Sequence, residues 1–394
     1  MSAAVPGIAI VAGMHRAGTS AIARGLAVLG FDLGPRLMSA DVRMNARGFF
    51  EDVDIVALDD TLLALAGADW KSVALLDRMD WQEARVASSR DEARRLLEQR
   101  LAAGPFACKD PRMPRLLPFW QARLAELRVQ DGYVIAVRHP ASVVASLTAR
   151  DGLDVRRSAW LWLVHLAASL AYTQGRPRVV VDYDRLLADP RRELARVARA
   201  FGLPAPAEHD AGLSEFRTAF LSPDLRHAHF ASDDFDPAQW PAPVAEAHAL
   251  AVRLSCADGV SDDASAAIDA LWDRVRISGP LLDYAGSVEH LADDVPRLVG
   301  ELRWARESLA QARGFADSLD RALAEKDADL LAVRAHATAT TEAAAAYAGD
   351  LREALTRTER ELAAAHRALG AVGSTRVGRW LLRRLAGKRA DRGA

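Results

Sequence analysis

Near its start the chain carries a short apolar run, Ile8-Ala9-Ile10-Val11-Ala12. It passes through Gly13-Met14-His15-Arg16-Ala17-Gly18-Thr19-Ser20 into a helical pattern marked by Ile22, Leu26 and Leu29. A buried strand, a glycine-bracketed turn and a helix N-terminus in that order aim backbone N–H groups at an anion. The spacing of Gly13, four residues and Gly18 is that of a phosphate loop. Position 19, where a nucleoside triphosphatase places the lysine that reaches the β and γ phosphates, is Thr19, which argues against ordinary ATP or GTP chemistry. Arg16 is the only cation inside the loop, and small hydroxyl residues follow it. That set suits a nucleotide with one 5′ phosphate and one transferable group.

A second station lies far along the chain. Tyr133-Val134-Ile135-Ala136-Val137 reads as a buried parallel strand and ends in Arg138-His139-Pro140 before a helical stretch from Ala141 to Ala149. Arg138 therefore sits at a strand's carboxyl end, and Ser146 follows on the next helix. There a basic side chain and a hydroxyl can share one more phosphate. Further strand-like runs at Ala107 to Lys109 and Val179 to Asp182 alternate with helical patterns, of which Arg156 to Thr173 is the best, with Trp160, Leu161, Val164 and Leu170 as core. The alternation implies an α/β fold, a parallel sheet with helices on both faces.

Together the two stations resemble those of the PAPS-dependent sulfotransferases, in particular their bacterial branch. In that family a Lys/Arg-Ser/Thr-Gly-Thr-Ser/Thr loop binds the 5′ phosphosulfate of 3′-phosphoadenosine 5′-phosphosulfate (PAPS), and an Arg and a Ser eight residues apart bind the 3′ phosphate. Here the loop reads Arg16-Ala17-Gly18-Thr19-Ser20, with Ala17 departing from the usual hydroxyl residue, and the pair is Arg138 with Ser146. Lys109-Asp110-Pro111-Arg112 is similar to the Lys-Asp-Pro element of the tyrosylprotein and bacterial branches, whose Lys lies near the sulfuryl group. Tyr183-Asp184-Arg185-Leu186-Leu187 is similar to the family's Tyr-Glu-Asp-Leu segment. The resemblance covers roughly Ile8 to His229. It implies a P-loop-like sulfotransferase domain using PAPS as donor without a metal, with Gly13, His15, Arg16, Ala17, Gly18, Thr19, Ser20, Arg138, Ser146 and Tyr183 around the nucleotide. Arg226, in Ser222-Pro223-Asp224-Leu225-Arg226-His227, is expected to close over it.

Transfer of a sulfuryl group to a hydroxyl needs an in-line nucleophile, a base for its proton, and cations at the phosphate oxygen that leaves as PAP. Arg16 is the first choice for the bridging oxygen and Lys109 the second, the duller reading of Lys109 being a salt bridge with Asp110. Glu51, in Arg47-Gly48-Phe49-Phe50-Glu51-Asp52, is the favoured base, because apolar neighbours such as Phe49 and Phe50 can raise its pKa. The alternatives are Asp52, Asp54 and His15, or a Glu51 that merely caps a helix starting near Val53. Arg112 and Arg115 either meet an anionic acceptor or line a helix surface.

Half of the 394 residues are hydrophobic and 26% are charged, enough for one large core plus an appendage, and a formal net charge of −2 gives no reason to expect nucleic acid. Cys108 and Cys256 fit no metal or redox spacing. No signal peptide or membrane span is visible at sequence level, so a cytoplasmic location is expected, on the inner face of the membrane if the tail binds there. Three regions are read: residues 1–285 as the α/β domain, 286–372 as helical or coiled-coil, and 373–394 as a basic amphipathic tail. The middle region rests on Leu302, Ala305, Leu309, Ala312, Ala316, Leu319 and Leu323 at strict 3-4 spacing, with a four-residue phase shift after Leu351. A coiled coil and a homo-oligomer are expected from it, an antiparallel helical hairpin folding back on the catalytic domain being the alternative. The tail, Arg376-Val377-Gly378-Arg379-Trp380-Leu381-Leu382-Arg383-Arg384-Leu385, has the pattern of a helix lying in an anionic membrane surface. The expected activity is transfer from PAPS to a carbohydrate or glycolipid hydroxyl. A P-loop nucleotide kinase or NTPase, or an inactive coiled-coil interaction protein, are the other classes.

Overall fold

The structure is a computed structural model and describes residues 5–39, 48–221, 235–257, 262–325, 330–374 and 376. Contacts divide the chain into two compact units, residues 1–283 and 284–394.

The first unit is built on four parallel strands, β1 (Ile8–Ala12), β2 (Phe106–Lys109), β3 (Asp131–Val137) and β4 (Arg178–Asp182), in the order β2-β1-β3-β4. Within β1 the side chains part by their period of two. Ile8 and Ile10 enter a core built with α2 (Val53–Leu65), α3 (Ala87–Leu101) and α4 (Met113–Glu126), whereas Ala9 and Val11 enter one built with α1 (Thr19–Val28), α5 (Pro140–Asp151) and α6 (Val155–Tyr172). Burial on both faces explains why these strands read as unbroken apolar runs and not as alternating ones. The α/β class with a parallel sheet is thus the class observed.

Short polar residues set the helix starts where the site needs them. The Nδ1 of His139 accepts from the N–H of Ala141 at 3.2 Å and Pro140 opens α5. Asp182 accepts from the amides of Asp184 and Arg185 to start α7 (Tyr183–Ala188), and Asp189 caps α8 (Pro190–Ala200). α9 (Ala211–Glu215) and α10 (Ala242–Cys256) follow, and Ile268, Leu271 and Val275 of α11 (Asp262–Glu325) complete the larger core.

In the second unit the later part of α11 and α12 (Leu330–Ser374) run antiparallel. Leu309 and Ala312 pack with Ala348, Leu351 and Leu355, and Arg306 donates to Glu359 at 3.1 Å. Leu298, Leu302 and Ala305 are buried along the same stripe. The 3-4 pattern therefore closes on a second helix of the same chain, which is the pairing of a helical hairpin. Residues 377–394, the greater part of the basic tail, lie outside the described residues. No helix among the described residues is long and apolar enough to cross a membrane.

Candidate functional site

Parallel pairing brings the four motif-bearing turns to one edge of the sheet. Val11 is level with Lys109 and Val134, and Val137 with Asp182. The chain leaves β1 toward β2 and then crosses to β3 on the other side, so the loop after β1 opens on the switch point where open α/β sheets bind ligands.

Close packing forces the two loop glycines. A Cβ on Gly18 would lie 2.2 Å from Cδ2 of Tyr183, and Gly18 adopts φ +85°, a left-handed conformation that also ends the loop as the N-cap of α1. A Cβ on Gly13 would lie 2.8 Å from the Cβ of Ala136 on β3. No side chain caps α1, so its first amides face the loop. Ala17 is buried and its N–H donates to the carbonyl of Met14 at 3.1 Å; Thr19 is buried as well. Ser20 donates through Oγ to the carbonyl of Phe49 at 3.2 Å.

The two stations form one cluster. Arg16, itself at φ +70°, donates through Nε to Oγ of Ser146 at 2.7 Å, and Arg138 donates through Nη1 to the Arg16 carbonyl at 3.3 Å. The Arg138 guanidinium lies 5.0 Å from the Tyr183 ring centroid, and Trp162 fixes its backbone by donating to the Arg138 carbonyl at 3.1 Å. Burial, followed by repulsion from Arg150 and Arg138, lowers the Arg16 pKa. Asp151, which pairs with Arg150 at 2.7 Å, offsets part of that repulsion, and a bound anion would offset the rest. Arg150 is the member that sequence reasoning missed. It lies four residues after Ser146, hence on the same face of α5, and that spacing was the available signal.

Beside this cluster sits an ion pair. Glu51 and Lys109 are each only 4% exposed; the ammonium of Lys109 donates to Oε1 of Glu51 and, at 3.1 Å, to the carbonyl of Phe49. The duller reading of Lys109, a bridge to Asp110, is not what is found: Lys109 pairs with Glu51, and Asp110 takes Arg112, at 3.0 Å. Nor does Glu51 cap α2: that is done by Asp52, which accepts from the amide of Asp54 at 3.0 Å and is held by Arg100 at 2.6 Å. Glu51 is aimed inward by a short antiparallel bridge between Leu37 and Asp52, with Met38 donating to the Glu51 carbonyl at 2.8 Å. Burial raises the Glu51 pKa and Lys109 opposes the rise.

His15, the rival base, packs against Trp70 with ring centroids 4.7 Å apart. Burial, then Arg112, Arg150 and Lys109, hold its pKa well below the ordinary histidine value, and its buried Nε2 has no hydrogen-bond partner among the described residues. A neutral, weakly basic imidazole is the poorer proton acceptor of the two. Trp70 belongs to a loop pinned by arginines: Arg115, 2% exposed, donates to the carbonyls of Asp69 at 2.6 Å and Ser72 at 2.8 Å, and Arg157 to that of Lys71 at 3.0 Å. Burial pushes Arg115 down to about 10. Arg115 thus neither meets an acceptor nor lines a surface, and carbonyl partners leave no mark in a sequence. Arg226 and His227 lie outside the described residues. Cys108 and Cys256 are free thiols, and among the described residues no group of three His, Cys, Asp or Glu is placed to hold a metal.

No family model matches the sequence, and no curated protein matches it. Among solved structures, the chain is similar to the sulfotransferase domain from the Synechococcus PCC 7002 olefin synthase, with a TM-score of 0.35 and 16% identity, covering 68% of this chain and 95% of that one. The functional reading rests on the site's own geometry.

Proposed function

We propose that this protein is a sulfotransferase that moves the sulfuryl group of PAPS to a hydroxyl, releasing PAP. The observation that carries this reading is the single cluster of Arg16, Ser146 and Arg138 at the switch point, next to the buried Glu51–Lys109 pair. Two separate anion stations joined by one arginine suit a nucleotide phosphorylated at both ends of its ribose. Arg16 and the N-terminus of α1 take the 5′ side, and Arg138 with Ser146 the 3′ phosphate.

PAPS supplies a sulfuryl group on a phosphate that can leave. The chain supplies position and charge. Lys109 serves the sulfuryl oxygens or the leaving oxygen, and when its ammonium is drawn there Glu51 loses the partner that holds its pKa down. Burial then acts on Glu51 with only the more distant Arg112 against it, and its carboxylate takes the acceptor's proton. The half-buried Trp70, held by Arg115 and Arg157, offers an aromatic wall for the acceptor, for which we propose a carbohydrate or glycolipid. We further propose that the second unit carries homo-oligomerisation, that the basic tail contacts the inner face of the membrane, and that the protein works in the cytoplasm.

Calorimetric titration of the full chain with PAP, and separately with ATP plus magnesium, tests the reading. Binding of PAP without ATP supports it and directs a screen of oligosaccharide and glycolipid acceptors with labelled PAPS. Binding of ATP alone moves the protein to the nucleotide kinase class, and binding of neither to the interaction proteins.

A further inference from the structure

Behind the Glu51–Lys109 pair lie two carboxyl groups that the proposed transfer does not use. Asp59 on α2 and Asp110 after β2 are both 0% exposed. Oδ1 of Asp59 accepts from the indole N–H of Trp120 at 2.8 Å; Oδ1 of Asp110 accepts from the backbone N–H of Arg112 at 2.9 Å and from its Nη1 at 3.0 Å. Oδ2 of each is buried with no hydrogen-bond partner among the described residues, and the two carboxyls are close enough to act on each other directly. Two ionised carboxylates in that contact would face each other with no cation between their second oxygens, which a fully buried site does not tolerate.

We infer that Asp59 is a neutral carboxylic acid that donates its proton to Asp110, and that it is a positioning residue for the proposed base. The chain of contacts runs from Trp120 through Asp59 and Asp110 to Arg112, whose Nη1 stands 4.0 Å from Oε2 of Glu51. With one shared proton, Asp110 keeps a single negative charge and a fixed orientation, and so fixes the Arg112 fork, which Asp60 also holds at 2.5 Å. The other groups facing the pair agree with one proton. From α4 and the turn before it come Trp120 and Arg112; from β2, Lys109, which Glu51 neutralises, and the thiol of Cys108, whose pKa is raised by burial and by Asp110; from α2, Asp60, which Arg112 neutralises. Burial, then Asp110, hold the Asp59 pKa well above the ordinary aspartate value.

The inference rests on the sulfotransferase reading only for what the network serves, and it is tested apart from it. Infrared difference spectra of the full chain against Asp59→Asn at neutral pH are expected to lose one protonated-carboxyl band. An unfolded aspartate ionises near about 4, so at neutral pH the native chain holds a proton that the unfolded chain has lost. The contribution of Asp59 to stability therefore falls as pH rises, and the unfolding midpoint of the wild type minus that of Asp59→Asn should decline as pH rises from about 4 toward the raised Asp59 pKa. A carboxamide reproduces both hydrogen bonds of the neutral acid, so Asp59→Asn removes the proton with the least disturbance, whereas Asp110→Asn should lower turnover about 100-fold, the loss that follows a displacement of roughly 1 Å. Absence of the band, a flat midpoint difference, or an Asp59→Asn chain that does not fold overturns the inference. Loss of the band and a declining midpoint in a protein that binds no PAP would leave the shared proton standing and remove only the sulfotransferase reading.

Discussion

Replacing Glu51 by Gln removes one charge and almost no volume from the centre of the site. In the wild type the carboxylate is buried and accepts from Lys109, which also donates to the Phe49 carbonyl at 3.1 Å. Breaking a buried ion pair by removing one partner costs about 3–5 kcal/mol. The Gln carbonyl retains one hydrogen bond to the ammonium, returning about 1–1.5 kcal/mol, so a net loss of about 2–4 kcal/mol in stability is expected. The same substitution removes the proton acceptor. General-base catalysis contributes about 10²–10⁴-fold, which corresponds to about 3–5 kcal/mol of barrier. Among the described residues the ion-pair partners of Glu51 are Lys109 and Arg112, outside the phosphate stations, so PAP affinity should stay within about threefold. The assay is transfer of labelled sulfate from PAPS to an acceptor identified in the glycan screen, with PAP calorimetry on the same preparation. In the wild type the rate should rise with pH through the raised Glu51 pKa, since only the ionised form accepts the proton, and Glu51→Gln should lose that limb. A variant that binds PAP and turns over within about threefold of wild type, with the same pH profile, would refute the assignment of the base.

Arg16→Ala and Arg138→Ala should each weaken PAP binding by about 1.5–3 kcal/mol, the range for a hydrogen bond to a charged group, and calorimetry reads the change directly. Gly18→Ala should destabilise the fold by more than the roughly 1–2 kcal/mol of left-handed backbone strain, because its Cβ also strikes the Tyr183 ring; adding Tyr183→Ala should recover the clash but not the strain, as followed by denaturant midpoints. Ending the chain at Asp283, where the first unit ends, should leave PAP binding intact and lower the mass measured by light scattering, while an unchanged oligomer would place self-association in the first unit.

The strands were legible because each is buried on both faces, so that Ile8–Ala12 and Tyr133–Val137 stand out as apolar runs closed by Gly13 or by Arg138-His139-Pro140. The order of the strands was not written in any run. What put Lys109 next to Glu51 was the pairing of β2 with β1 and the bridge of Leu37 with Asp52, both contacts between distant segments. Side chains that bind backbone carbonyls, such as Arg115 and Arg157, were misread or passed over, since a carbonyl has no letter of its own. The heptad-like stripe at Leu302 to Ala312 declared a helical partner correctly and could not declare whose, because an apolar face packs equally well on its own chain or on a copy.

The Phe49 carbonyl accepts from Ser20 at the start of α1 and from Lys109 at the end of β2, and the turn that presents it holds Gly48 at φ +94° and Phe50 at φ +54°. One main-chain oxygen therefore ties the phosphate loop to the ion pair. A scan that swaps side chains one at a time reads Phe49 by its ring and is blind to this atom, which any residue except a misplaced one would supply. Positions 48 and 50, whose letters carry no chemistry, are where such a scan would register the link, through backbone angles that decide where that oxygen points.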